Sequence, residues 1–372
     1  MSCGSSKQDF NVKSNKQGSI SNFHDDQNLE PIPKTLFREY GYSKDKIPSI
    51  GDRFVDANKS EHQSVPLKLS ISDVKWCCVI YLVSLAIGFI YILIKSISMM
   101  VEDPLAPKSL RRAGTTFFAL FLCVAGGIGL TAGEHRLWAH RTYKAKLPLR
   151  ILLMILTTSI GEGTIYFYVK HHRAHHTFVD THADPQNIRR GFWFPLIGWK
   201  LVKEHPEYKK KVKTLQYKDV INDPVVWFQK KFFAPLVLIF ALIIPTLIPY
   251  YCWNENLWDS FLIAGLGKSF WVITVHGILN SVSHMNGQRP YSPQISAREN
   301  LLMSILCSGE GWHNFHHVFP YDYALSEFGQ MFNLGKSFID LMAATGQAYD
   351  RRRASPEYVT RVKNQNITRG YN

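Results

Sequence analysis

Acidic side chains are scarce in this chain: its 372 residues hold 29 Asp and Glu against 43 Lys and Arg, a formal net charge of +14. Cysteine is sparse and placed where it can do little. Four of the six (Cys77, Cys78, Cys123, Cys252) fall in apolar runs and none forms a CxxC pair. A disulfide framework and a thiolate metal site are both excluded by that pattern. The first 70 residues are polar and lack the apolar stretch of a cleavable leader, so none is expected. Histidine, abundant elsewhere, is almost missing from the apolar runs: only His276 lies inside one, with His284 at its edge. A metal-conducting path through a membrane would need more.

Long apolar runs are what the chain does have. A helix needs about 20 such residues to cross a hydrocarbon core. Residues 76–94, 113–133 and 232–253 carry no charge, and 261–283 is interrupted only by Lys268. The mean hydropathy of −0.11 reflects dilution by long polar segments. Lys and Arg then explain the net charge. Of the 43, 38 lie before the first run, from Arg136 to Lys231, or from Arg289 onward. Four crossings put those three segments on one side, which the positive-inside rule makes cytosolic. Both termini are therefore expected in the cytosol. The basic excess reads as topology and attraction to anionic headgroups, with no nucleic-acid partner.

The expected organisation is a polar, largely disordered segment (1–65), a membrane-embedded domain (66–349) and a basic tail (350–372). The second run is rich in small residues, among them Gly126, Gly127 and Gly129. They serve either close helix packing or space for a ligand chain. Residues 149–160 are apolar but too short to span, which predicts an interfacial or buried helix.

Histidine carries the chemistry. Of 15 histidines, nine sit in three short windows: His135 and His140, His171 to His176, and His313 to His317. On a helix, positions i, i+3 and i+4 lie within about 100° of each other, so His172, His175 and His176 share a face. His171 points off it. His135 and His140, five apart, are about 140° apart on an α-helix and need not serve the same ion. His284 follows Asn280 by one turn, and a polar residue at a span is a functional candidate. Setting His171 aside and adding His284 gives nine candidates: His135, His140, His172, His175, His176, His284, His313, His316 and His317. These are too many for one ion. A sulfur-free nitrogen set suits two irons that activate oxygen, although ligand type alone leaves zinc and copper open. Glu134, Asp180, Asp184, Glu310 and Asp322 are candidate acceptors for the outer ring N–H groups. The predicted fold class is an all-α membrane protein with four transmembrane helices and a cytosolic helical cap carrying a histidine-rich metal site.

Several motifs go further. His135-Arg-Leu-Trp-Ala-His-Arg, His172-Arg-Ala-His-His, Thr181-His-Ala-Asp-Pro, Arg190-Gly-Phe-Trp-Phe, Asn280-Ser-Val-Ser-His and Gly309-Glu-Gly-Trp-His-Asn-Phe-His-His stand in collinear order. Over residues 70–350 the chain resembles the integral-membrane acyl-CoA desaturases, nearest to the animal stearoyl-CoA, Δ9-type branch with its insect relatives. The resemblance implies that the nine histidines bind two ferrous ions and that Asn280 holds a metal-bound water. It implies a fatty acyl-CoA substrate, O2, electrons from cytochrome b5 and its NADH-dependent reductase, and residence in the endoplasmic reticulum membrane. No His-Pro-Gly-Gly haem motif occurs, so the electron donor is expected to be a separate protein.

The chain departs from the family pattern before its second histidine box. Tyr168 replaces an aromatic expected near the bend of the acyl tunnel. Lys170 and His171 replace residues expected near the CoA headgroup, where Lys203 is a further candidate contact, and Glu204 stands where a basic residue is common. Gln186 and Leu196 replace histidines that are not ligands. Small Cys123 and Gly127 are expected to deepen the tunnel floor. The same ligands on the same fold would also suit a fatty-acyl hydroxylase or conjugase, or an inactive lipid-binding relative.

Overall fold

The computed structural model describes residues 76–101 and 106–368. The expected polar segment 1–65 lies outside the described residues. Helices dominate. In chain order they begin with α1 (Trp76–Val101), α2 (Pro107–Ala139), α3 (Leu147–Thr158) and α4 (Ile165–Phe178). After a run of short turns come α5 (Pro224–Lys231), α6 (Phe233–Trp253) and α7 (Leu257–Val282). The remainder carries α8 (Leu301–Leu306), α9 (His313–Val318), α10 (Leu334–Ala344) and α11 (Pro356–Thr368). Among the described residues one two-stranded sheet, β1 (Lys144–Ala145) with β2 (Ala348–Tyr349), ties the two ends of the cap together.

Among the described residues three helices are long and apolar enough to cross a membrane: α2, α6 and α7, of 33, 21 and 26 residues. α2 contains the run 113–133, and the runs 232–253 and 261–283 match α6 and α7 to within one residue at one end. The remaining run, 76–94, falls within α1, a 26-residue helix. α2 exposes Phe117, Leu120, Phe121 and Val124 at i, i+3, i+4 and i+7, an apolar stripe on one face of the helix. The expected short apolar helix is α3.

Local chemistry sets the breaks. Asn254 closes α6 in the left-handed conformation (φ 61°), and the Asn256 side chain accepts from the Trp258 and Asp259 amides to start α7. That is a C-cap and an N-cap two residues apart. Beside this hairpin, buried Arg112 near the start of α2 pairs with Asp259 and lies 3.7 Å from Glu255. Lys268, which interrupts the last run, is buried, and its ammonium donates to the carbonyls of Ser159 (2.7 Å) and Ala241 (3.1 Å). A lysine inside a bundle persists when its donors are met in this way.

α2 changes its winding as it leaves the apolar region. From Gly129 to Ala139 it is a π-helix, and the His140 amide continues that pattern to the His135 carbonyl at 3.0 Å. Here α3 lies so close that a Cβ on Gly129 would stand 2.4 Å from the Thr157 nitrogen. The core of the cap gathers around this segment, with Leu137, Trp138, Tyr143, Leu153 and Val169 buried together. In the basic tail, Ala354 and Val359 are buried against Tyr291, Phe315 and Phe319.

Candidate metal centre

Four elements deliver the histidines. α2 presents His135, with His140 at its end; α4 presents His172, His175 and His176; the turn after α7 carries His284; and α9 presents His313, His316 and His317. The structure gathers all nine into two groups. One holds His135, His140, His172, His176 and His316, the other His175, His284, His313 and His317. Within each group the donor nitrogens lie within 4.8 Å of one another.

The expectation that His135 and His140 point apart is corrected by the π-winding. An i→i+5 hydrogen bond stacks residues five apart, so both rings enter one group with centroids 4.9 Å apart. α4 divides as regular helix geometry allows: His172 and His176 (i, i+4) turn to one group and His175 to the other. Its start is fixed by Thr164, whose side chain accepts from the Phe167 amide. His171 belongs to neither group. Its Nδ1 donates to the Phe167 carbonyl at 2.9 Å, and its Nε2 faces Glu204 at 3.4 Å.

The outer nitrogens explain why the inner ones converge. His135 Nδ1 donates to Glu310 at 2.8 Å, and His175 Nδ1 donates to Asp184 at 2.8 Å. His284 Nδ1 meets Ser296 Oγ at 2.7 Å, and that hydroxyl donates to Asp180 at 2.5 Å. Of the five candidate acceptors, then, Glu310 and Asp184 touch rings directly and Asp180 acts through Ser296. Asp322 instead receives the Ala324 and Ala354 amides, and Glu134 lines a neighbouring pocket. Ser296 gave no sequence signal, being one serine in a polar loop.

With the proton held on Nδ1, the Nε2 of His135, His175 and His284 is a bare lone pair aimed inward. His135 Nε2 lies 2.9 Å from His316 Nε2, His140 Nε2 lies 2.8 Å from His172 Nε2, and His284 Nε2 lies 3.0 Å from His313 Nε2. Among the described residues, His176 Nε2 is buried without a hydrogen-bond partner. Converging lone pairs need a cation, and this donor set fits a transition metal. Protonation states agree. Burial, then the neighbouring rings, holds His140, His172, His176, His284, His316 and His317 well below ordinary histidine, and brings His313 to about 3. These rings stay neutral, the form that binds metal. For His175 burial works downward, but Asp184 outweighs it and the net shift is up. Burial pushes Glu310 up, yet His135 and Arg136 hold it at about 2.

The remaining expected residues scatter around this centre. Asn280 is half-buried in α7, one turn before His284. Tyr168 stacks on His172 at 5.2 Å and 15°. Lys170 Nζ lies 3.9 Å from Glu204, and Lys203 is exposed. Cys123 Sγ faces the Lys268 carbonyl at 3.7 Å, and beside Gly127 there is open space where a Cβ would sit. A small pocket adjoins the five-histidine group, with His172, Tyr168, Glu134, Glu162, Lys200 and His276 in its wall. Glu162 and Lys200 carried no role in the sequence reading; the available signal was an acid between two glycines at the end of an apolar helix.

The family model for Fatty acid desaturase matches residues 113–333. The chain is 40% identical over 323 residues to "Stearoyl-CoA desaturase 2" of Rattus norvegicus, covering 87% of this chain and 86% of the relative. It is 46% identical over 241 residues to "Stearoyl-CoA desaturase" of Bos taurus, covering 65% and 67%. It is also 45% identical over 241 residues to "Stearoyl-CoA desaturase" of Homo sapiens, covering 65% and 67%.

Proposed function

This chain belongs to the fatty acid desaturase family, and we propose that it inserts a cis double bond, at Δ9, into saturated C16 to C18 acyl-CoA. The observation that carries the chemistry is the pair of adjoining nitrogen donor groups. The five-histidine group would hold one iron and the four-histidine group a second, with Asn280 completing the latter through a water. When bound, the irons supply O2 activation strong enough to oxidise an unactivated C–H bond. The balance is one CH2–CH2 unit and one O2, with two electrons and two protons, giving one cis CH=CH unit and two waters. Cytochrome b5 and its NADH-dependent reductase would deliver the electrons.

The protein's own work is positioning and exclusion. Glu310, Asp184 and the Ser296–Asp180 pair fix ring orientation, so the donor set is formed before any ion arrives. Burial of the donors keeps water away and prevents competing protonation. Cys123 and Gly127 leave room along α2 for the far end of the acyl chain. With four crossings by α1, α2, α6 and α7 and both termini cytosolic, the centre would sit at the cytosolic face of the endoplasmic reticulum membrane.

The test is expression in desaturase-deficient yeast, with double bonds located by mass spectrometry. New Δ9 monoenes that disappear in His175→Ala support the reading. Hydroxylated or conjugated products would replace it with that chemistry, and an iron-loaded protein that yields none would be an inactive relative.

A further inference from the structure

The pocket beside the five-histidine group sets a buried ion pair into an otherwise largely apolar wall. Lys200 Nζ donates to Glu162 Oε1 at 2.6 Å, and His276 Nδ1 lies 3.1 Å from both Glu162 oxygens. The Lys200 and Glu162 side chains are only 14% and 12% exposed. Burial works against the Glu162 charge, but Lys200 and His276 outweigh it and keep the carboxyl well below the usual carboxylate range. Buried Glu134 and Gln186 add further polar groups to the same wall, while Phe167 and Trp199, stacked at 5.9 Å, give an apolar side. Tyr168 connects this pocket to the metal donors by stacking on both His276 (6.0 Å) and His172 (5.2 Å).

A methylene chain laid against this ion pair would strip its remaining water and return no hydrogen bond, a net cost. An oxygen carried by the chain would instead be matched by the ammonium, the amide or the phenol, with the aromatic side taking the adjoining carbons. Accepting the acyl-CoA desaturase chemistry but revising the Δ9 position and the plain saturated C16 to C18 substrate proposed above, we propose that the Glu162–Lys200–His276 cluster selects acyl chains that place a carbonyl or hydroxyl oxygen in this pocket, next to the carbons that react. That oxygen is either the thioester carbonyl, which brings the double bond toward the carboxyl end, or a hydroxyl borne by the chain itself. Glu162 and Lys200 are then specificity residues. The selection is an affinity difference, and a site built to pair an oxygen rejects the analogue that lacks it.

The experiment measures equilibrium binding and turnover of stearoyl-CoA, shorter saturated acyl-CoAs and hydroxystearoyl-CoA positional isomers by the full-length protein in membranes. The doubly substituted E162Q/K200M protein, which removes both charges at similar volume, runs beside it. We expect at least tenfold tighter binding of an oxygen-placing chain than of stearoyl-CoA, reduced severalfold or more in E162Q/K200M. Preference for a hydroxylated chain identifies the hydroxyl. Preference for a shorter saturated chain, with its double bond nearer the carboxyl end than position 9, identifies the carbonyl. Equal binding of all chains by the wild type, or a preference unchanged in E162Q/K200M, overturns the proposal. Failure of the desaturase reading is distinct: no dehydrogenated product from any chain, whatever the binding order.

Discussion

The two donor groups are built from the same residue type yet held in different ways. In the five-histidine group, the ring with a carboxylate partner shown among the described residues is His135, on Glu310, which also binds Arg136 at 2.8 Å. Its other members are set by the elements that carry them: the π-wound end of α2, one face of α4, and α9. In the four-histidine group, His175 and His284 are both steered by acids, Asp184 directly and Asp180 through Ser296. The first group depends on backbone winding, the second on side-chain hydrogen bonds. Damage to the two should therefore look different.

Removing a donor is the largest expected effect and strikes both alike. His316→Ala and His317→Ala take one nitrogen from each group, and each should reduce product by about a hundredfold or more, as loss of a metal ligand generally does. Iron per protein, measured by mass spectrometry on the purified variants, should fall to roughly half if each group holds its own ion. A complete loss of iron from either variant would mean that the groups act as one site.

Removing an orienting acid should separate them. Asp184→Asn keeps the shape but weakens the hold on His175, and a 10- to 100-fold loss of metal affinity or activity is about what such partners contribute. Ser296→Ala, which cuts the Asp180 connection to His284, should give a smaller loss in the same direction. Glu310→Gln tests the other group and leaves Arg136 without its carboxylate as well, so it should cost stability in addition to activity. Equal activity losses at Asp184 and Ser296 with no change in iron content would contradict the steering role.

The same contrast marks what could be read from sequence. Three windows of histidine, the apolar runs and the shared face of α4 were legible because each is local, a matter of spacing and composition. The placing of His140 beside His135 was not, because an α-helical reading sets them apart and nothing in Gly129–Ala139 announces π-winding. Division of α4 between two groups also escaped, since a shared face does not say what stands opposite it. The Glu162–Lys200–His276 cluster joins residues 38 and 114 positions apart, and such long-range pairing leaves no trace in local pattern. Lys268 is similar: the sequence shows an interrupted span, and only the fold supplies the Ser159 and Ala241 carbonyls that satisfy it.

Two glycines on α2 give the finest form of the comparison. Gly129 lies where the π-winding begins, and its absent Cβ would collide with backbone at Leu156 and Thr157. Gly129→Ala should push α2 from α3, cost about 1–3 kcal/mol, and lower the melting temperature of the detergent-purified protein. It should also lower iron content through the five-histidine group first. Gly127, two residues earlier, has nothing within 4 Å of where a Cβ would stand. Gly127→Ala should leave melting temperature and iron content unchanged. Whether the open space matters to substrate is then read from chain length alone. Cys123→Tyr on the same helix should shift products severalfold toward shorter chains, because a pocket discriminates roughly 10-fold or more per displaced methylene at best and less where the wall can yield. An unchanged C16 to C18 product ratio in Cys123→Tyr would place the end of the acyl chain elsewhere, and the small residues of α2 would then serve helix packing throughout.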